Sequence, residues 1–190
     1  MKEYFFESQI AKDHPRDPFA VPFDLFKQIN EHMVIPTHDV MIKYLGGILL
    51  VQRENVPAKG DLFPIGGKLI KGVPTLDSLR MRTKQECGLE LENIEQVGTA
   101  RHFWDEDPFG HGKGVDTISE MFYAEGKGEI KLDSLHSTPT LVVSKTFLYR
   151  NPNTRFENPE FNYEVNLPKF RETLNPWVKD FFELIMEKNL

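Results

Sequence analysis

The run from Gly66-Gly67 to Gly88-Leu89 limits the fold of this chain more than any other stretch. Its second half, Thr75–Cys87, reads as a helix with Leu76, Leu79 and Thr83 placed to face a core, and Gly88 stands where a helix stop is expected. Strand-like stretches flank it on both sides. Upstream, Asp39–Leu45 and Ile48–Arg53 form a hairpin across Gly46-Gly47, residues 54–62 form a polar loop, and Leu62-Phe63-Pro64-Ile65 leads into the glycine pair. Downstream lie Gln96–Trp104, Thr117–Ala124 and Leu141–Tyr149. A closing helix near Pro176–Lys188 starts with a proline suited to a first turn, and Trp177, Phe181, Phe182 and Ile185 form its apolar stripe, read as core or as a dimer surface. Strands around one central helix, with a second helix at the end, specify an α+β sandwich.

The 190 residues suit one domain, 1–190, with room for extensions at both ends. Residues 1–36 form an N-terminal extension. In it Phe23, Phe26, Ile29 and Met33 fall at helical spacing, Pro36 is expected to end the short helix, and residues 1–21 are expected to wrap the surface. Residues 150–190 form a C-terminal extension that carries the last helix. With 39% hydrophobic and 27% charged residues the chain can bury a core and keep a solvated surface.

Charge and cysteine content exclude several classes. The formal net charge is −6 and no Lys/Arg run occurs, so a nucleic-acid partner is not expected. No apolar run approaches the ~20 residues a bilayer requires, and charges interrupt the first residues where a signal peptide would be apolar. Cys87 is the only cysteine, which fits a reducing cytoplasm and leaves no internal disulfide. Beside the helix stop it reads as a packed small residue.

The chemistry concentrates on the Thr75–Cys87 helix. Positions 82, 85 and 86 are separated by three and four residues, so their side chains are expected to share one face. Carboxylates on such a face can hold Mg²⁺ against a diphosphate, because Mg²⁺ prefers hard oxygen ligands and bridges phosphate oxygens. The segment Gly67-Lys-Leu-Ile-Lys-Gly-Val-Pro-Thr-Leu-Asp-Ser-Leu-Arg-Met-Arg-Thr-Lys-Gln-Glu-Cys-Gly-Leu89 resembles the Nudix box. Gly67, Glu86, Gly88 and Leu89 match that pattern; Val73, Met81, Arg82 and Gln85 depart from it. Within the Nudix superfamily the likeness is to GDP-mannose mannosyl hydrolases, which retain the last of these carboxylates. The lead-in Arg53-Glu-Asn-Val-Pro-Ala-Lys-Gly-Asp-Leu-Phe63 and the later His102-Phe-Trp-Asp-Glu106 are similar to segments of that family as well. The likeness spans roughly residues 23–125 and weakens toward 136.

This resemblance implies a Nudix α/β/α sandwich with a mixed sheet, and it implies roles for particular residues. Asp39 and Arg53 would bind the nucleotide, with Lys68, Arg80 and Asp105 as further substrate contacts. Glu86 and the Gly66 carbonyl would hold one Mg²⁺ (Mn²⁺ as the alternative). Arg82 would supply positive charge to the diphosphate, although at i,i+4 from Glu86 it can equally form a surface ion pair. His102 would contact the diphosphate or leaving group, with a half-buried structural histidine as the other reading. His136 would be the general base, since an imidazole with a pKa near ~6.5 takes a proton at neutral pH. Leu135 and Met121 stand where the family has a Gln and a Tyr.

The reaction implied is substitution at a sugar's anomeric carbon, releasing nucleoside diphosphate and free sugar. Two alternatives stand beside it: cleavage of the P–O–P bond, disfavoured by the few carboxylates, and a Nudix-fold module that binds a nucleotide sugar without turning it over. The partner expected in each case is a small-molecule nucleotide, and a homodimer is compatible with the aromatic last helix. The loop Gly110-His-Gly-Lys-Gly114 lacks phosphate-loop spacing and is expected to be a flexible connection over the sugar.

Overall fold

Strand β1, Ile35–Tyr44, organises the sheet because both of its edges are occupied and its side chains alternate between two apolar layers. The computed structural model describes residues 2–3, 21–142, 148–150, 163–164 and 174–187. On one edge β1 runs parallel to β6, Val115–Lys127, in register from Ile35 opposite Thr117 to Lys43 opposite Glu125. On the other edge two antiparallel strands share its length. Its C-terminal end pairs with β2, Gly47–Arg53, and its first half pairs with β4, Ile65–Lys68. The two-residue β3, Leu62–Phe63, pairs with β2. The long edge strand β5, Glu90–Trp104, lies outside β6. Beyond β2 come β7, His136–Val142, β8, Leu148–Arg150, and β9, Tyr163–Glu164, so the order is β5-β6-β1-β2-β7-β8-β9.

Period-two alternation feeds a core on each face. Val40, Ile42, Leu49, Val51, Phe122 and Ala124 point toward helix α2, Thr75–Cys87, and meet its Leu79 and Cys87. Met41, Ile48, Leu50, Met121 and Tyr123 point the other way, onto Val178, Phe181, Phe182 and Ile185 of helix α3, Pro176–Glu187. A mixed sheet between α2 and α3 is the α/β/α sandwich expected from the sequence. The short helix α1, Phe23–His32, lies beside this sandwich.

Local chemistry sets the boundaries. Gly88 ends α2 in the left-handed region at φ 78, where a Cβ would cost about 1–2 kcal/mol. At the other end of α2, the Thr75 N–H and hydroxyl both donate to the Glu3 carboxylate, at 2.8 and 2.7 Å. Four expectations need correction. Pro36 lies inside β1 and does not stop α1, which ends at His32 because Met33 is already extended and Ile35 enters the pairing with β6. The hairpin turn is Leu45-Gly46, and Gly47 opens β2, since positive φ is taken up at 45 and 46. Leu76 is exposed, while Thr75 and Ser78 are buried with Leu79 and Thr83. The expected strand Leu141–Tyr149 is two strands, and residues 143–147 between them lie outside the described residues, as do 1, 4–20 and Lys188.

Candidate functional site

The β1–β4 register sets Gly66 opposite Asp39 and Gly67 opposite His38, and these glycines form the floor of a pocket of about 170 Å³. A Cβ at Gly66 would lie 2.3 Å from the His38 carbonyl oxygen and 2.4 Å from Asp39 Oδ1, so only glycine fits there. Beneath the floor lies α2. The Gly66 N–H donates to Glu86 Oε2 at 3.2 Å, and Arg82 Nε donates to the Lys68 carbonyl at 3.3 Å. Both side chains are buried. At roughly 100° per residue Gln85 lies about 60° from Arg82 and about 100° from Glu86, on the flank of α2 that turns to solvent. It is exposed beside Met81 and Lys84 and does not share the face of 82 and 86, contrary to the expectation from spacing.

The pocket walls come from β2, β3, β5, β6 and β7, the 54–61 loop and α3. Arg53 ends β2 directly opposite His136 at the start of β7. Its Nε donates to the Pro57 carbonyl at 2.9 Å and its guanidinium stands 5.2 Å from the Phe63 ring centre. His136 Nδ1 lies 2.7 Å from Asp133 Oδ1, leaving Nε2 as the nitrogen available to a ligand. His102 and Trp104 of β5 face Thr117 and Val115 of β6, and His102 Nδ1 is 3.2 Å from the Thr117 hydroxyl. The last wall is Trp177 from α3, whose ring centre is 4.5 Å from that of His102 and 5.1 Å from that of Phe63.

Acids and cations alternate around the floor. Burial pushes the Glu86 carboxyl up to about 8; Arg82 and the Gly66 N–H oppose this, and Asp133 and Asp39 add to it. Burial likewise raises Asp39 to about 6, against the pull of the Ser119 hydroxyl, which donates to it, and of Arg53. Desolvation lowers Arg53, Lys68 and Arg82 from their usual ranges, the arginines being partly restored by neighbouring carboxylates. His102 is held below the ordinary histidine range by burial, so its ring is neutral at pH 7. Its Nε2 and the Trp177 Nε1 are both covered and have no hydrogen-bond partner among the described residues, a state that costs roughly 1–3 kcal/mol per group.

No family model matches the chain. Solved structures with the same architecture include the Nudix domain of NrtR from Shewanella oneidensis complexed with ADP ribose, at 13% identity and TM-score 0.57, covering 98% of this chain and 100% of that one. The MutT Nudix hydrolase of Burkholderia pseudomallei superposes with TM-score 0.54 at 16% identity, covering 81% and 99% of the two chains. Among curated proteins, the low-salt glycan biosynthesis protein Agl8 of Haloferax volcanii is 30% identical over 113 residues, 60% of this chain and 69% of that protein. This chain belongs to the Agl8 family and has the Nudix fold.

Of the residues singled out from the sequence, Asp39, Arg53, Gly66, His102 and His136 line one pocket, with Glu86 and Arg82 packed under its floor. Lys68 lies at the end of β4 with Nζ 3.8 Å from the Phe26 ring centre, outside the pocket lining but beside Arg82. Arg80 and Asp105 lie elsewhere. Arg80 is exposed, paired with Asp77 at 3.3 Å, in a groove with Met81, Lys84 and Gln85. Asp105 is exposed just past the end of β5. Met121 is core under α3, and Leu135 is exposed.

Two further corrections concern neighbours of the site. The 107–112 loop is built around Asp107, whose carboxylate accepts from the N–H groups of Phe109, His111 and Gly112, so the loop has a defined shape; burial would raise this carboxyl, but these N–H groups hold it below the usual carboxylate range. Trp177, which by its spacing reads as core or a dimer surface, lines the pocket. Asp133 was also missed, although its Asp-x-x-His spacing to His136 is the signal that could have found it.

Among the described residues no three His, Cys, Asp or Glu side chains converge into a cation cage. Glu86 sits against Gly66 and Gly67, where a Cβ on Gly67 would lie 3.4 Å from its Oε1. One carboxylate at a glycine floor fits a single Mg²⁺ that brings phosphate ligands with it, the usual mode for Mg²⁺, and does not fit a multi-metal cluster. Among the described residues no helix is long and apolar enough to cross a membrane.

Proposed function

We propose that this Nudix-fold protein hydrolyses a nucleoside-diphosphate sugar at the anomeric carbon, with His136 as general base. The observation that carries the reading is the Asp133–His136 pair at the pocket wall, directly across the β2–β7 ladder from Arg53. A base whose second nitrogen is held by a carboxylate has a fixed tautomer and aim. His136 would take a proton from water; the water oxygen bonds to the anomeric carbon while the bond from that carbon to the diphosphate oxygen breaks. The electron pair leaves with the nucleoside diphosphate, whose developing charge Arg53 and Arg82 would stabilise. Glu86 and the Gly66 carbonyl would hold one Mg²⁺, which supplies neutralising charge to the diphosphate when bound.

The relatives support a nucleotide ligand without fixing it. The NrtR domain is described with ADP ribose, and Agl8 is named for glycan biosynthesis. The absence of a three-acid cluster among the described residues argues against P–O–P cleavage by several metals, and it gives a binding-only module a specific basis as the second reading. Incubation with GDP-mannose, GDP-glucose, UDP-sugars and ADP-ribose plus Mg²⁺ in ¹⁸O-water separates these. Label in the sugar is the expected result. Label in phosphate establishes P–O cleavage, and binding without turnover establishes the module.

A further inference from the structure

We infer that Glu54 is a positioning residue: from the end of β2 it clamps the bulged start of β7 and so keeps His136 opposite Arg53. This rests on the general-base reading above and extends it to the group that fixes the backbone carrying the base.

In the β2–β7 ladder Leu49 lies opposite Leu141 and Leu50 opposite Thr140. A regular continuation would set Gln52 opposite Thr138 and Arg53 opposite Ser137. Instead Gln52 pairs with Ser137 and Arg53 with His136, so Thr138 and Pro139 together take the place opposite Val51. One residue of β7 is bulged out. Thr138 leaves the extended range at φ 44, and Pro139 has no N–H to offer a ladder, so both suit a bulge. A one-residue slip turns the side chains beyond it to the other face of the strand. With the bulge, His136 shares a face with Arg53, and both line the pocket; without it, Ser137 would stand there.

A bulge interrupts the ladder bonds that would otherwise fix the strand, so its position depends on other ties. Glu54 supplies two of them, one on each side of His136. Its N–H donates to the Leu135 carbonyl at 2.9 Å, and its carboxylate accepts from the Ser137 hydroxyl. The bulge itself is held from the same strand, since the Thr138 hydroxyl donates to Gln52 Oε1 at 3.2 Å. Asp133 has a different duty: it lies 2.7 Å from His136 Nδ1 and sets the rotation of the ring. Glu54 is exposed and outside the pocket lining, so it serves the base only through the chain to which the ring is attached.

The test compares Glu54→Ala, which removes the acceptor, with Glu54→Gln, which keeps an oxygen for Ser137, and with Ser137→Ala, which removes the donor. Steady-state turnover of the preferred nucleotide sugar with Mg²⁺ gives kcat and KM. Nuclear Overhauser contacts between the His136 ring and the Arg53 side chain give the geometry directly, because cross-strand partners hold their Cβ atoms about 4.5–5.5 Å apart. Both tryptophans of the chain line the pocket, so quenching of their fluorescence by GDP or UDP reports that each variant has folded and binds. Glu54→Ala and Ser137→Ala should each lower kcat about three- to tenfold with KM and diphosphate affinity within about twofold, and should weaken the His136–Arg53 contacts. The double variant should lose no more than either single one, as expected for two ends of one bond, and Glu54→Gln should stay within about twofold of wild type. Wild-type kcat and contacts in Glu54→Ala overturn the clamp, as does a loss that Glu54→Gln shares in full. Full activity in His136→Gln, or no turnover by the wild-type chain, overturns the general-base reading instead, and the His136–Arg53 contacts then decide the clamp alone.

Discussion

The two helices that cover the sheet bury opposite chemistry. Helix α3 presents Val178, Phe181, Phe182 and Ile185 to its face of the sheet, a continuous apolar stripe. Helix α2 buries Leu79 and Cys87 together with Thr75, Ser78, Arg82, Thr83 and Glu86. Burying that much polarity is unfavourable unless each group is paired; the Ser78 hydroxyl serves both His38 and the Ile70 N–H, while the Thr83 hydroxyl has no hydrogen-bond partner among the described residues. A helix selected for stability alone would resemble α3. The charged and polar load of α2 therefore points to a task at the glycine floor, and Trp177 of α3 reaches the same pocket from the opposite face.

The comparison breaks most sharply at the base. His136→Gln should lower turnover of the preferred nucleotide sugar by about 10²- to 10⁴-fold, the usual worth of a positioned general base, with KM little changed. Asp133→Asn should fall between this variant and wild type, because it removes the group that aims the imidazole. Full activity in His136→Gln would move the chemistry away from β7, and α2 would then be the place to look. On the structural side, Phe182→Ala should cost roughly 3–5 kcal/mol in denaturant unfolding, as expected for a fully buried ring. A loss under 1 kcal/mol would mean that α3 does not anchor the fold.

What could be read from the sequence divides along the same line. The α2 segment carried both a helix signal, ending at Gly88, and a spaced set of polar residues, so its boundaries and its place against Gly66 were legible. The alternation in β1, β2 and β6 gave the two-sided core. Trp177 was not legible, because an aromatic residue at helical spacing beside Phe181 and Ile185 reads as core; only folding shows that one end of the stripe overhangs the pocket. Gln85 was misplaced for a related reason. Spacing says that 82, 85 and 86 are neighbours, but the rotation of the helix decides which of them meets β4. Arg80 and Asp105 share that difficulty, since nearness in sequence to a motif does not fix the direction of a side chain.

A pH titration sharpens the account of α2. Burial raises Glu86 to about 8, so between the ordinary carboxylate range and pH 8 the folded protein holds a proton that the unfolded chain has released. Stability without metal should therefore fall as pH rises through that window, by up to about 1.4 kcal/mol per unit, and level off above it. Asp39, raised to about 6, adds to the slope at the acid end. Glu86→Gln should flatten the curve between pH 6 and 8, and Mg²⁺ with GDP should do the same in wild type by favouring the carboxylate form. An unchanged slope in Glu86→Gln would show that the proton is held elsewhere.

The smallest expected effect lies where the two regions meet. Asn175 precedes Pro176 at the start of α3; its side-chain oxygen accepts from the Trp177 N–H at 3.2 Å, and its Nδ2 donates to Asp61 Oδ2 at 3.2 Å in the loop before β3. It is thus both a helix cap and a tie between α3 and a pocket loop. Asn175→Ala should cost about 1 kcal/mol, or roughly 2–4 °C in Tm for a chain of this size. A cap alone would do no more than that. Because the N–H it caps is that of Trp177 itself, loosening it should also weaken nucleotide-sugar binding by a small factor, read as a right shift in the tryptophan quenching curve. Asn175→Asp separates the two duties: it keeps an acceptor for the helix but sets a carboxylate against Asp61. If its Tm stays within 1 °C of Asn175→Ala while its quenching curve matches wild type, α3 holds Trp177 without help from the loop.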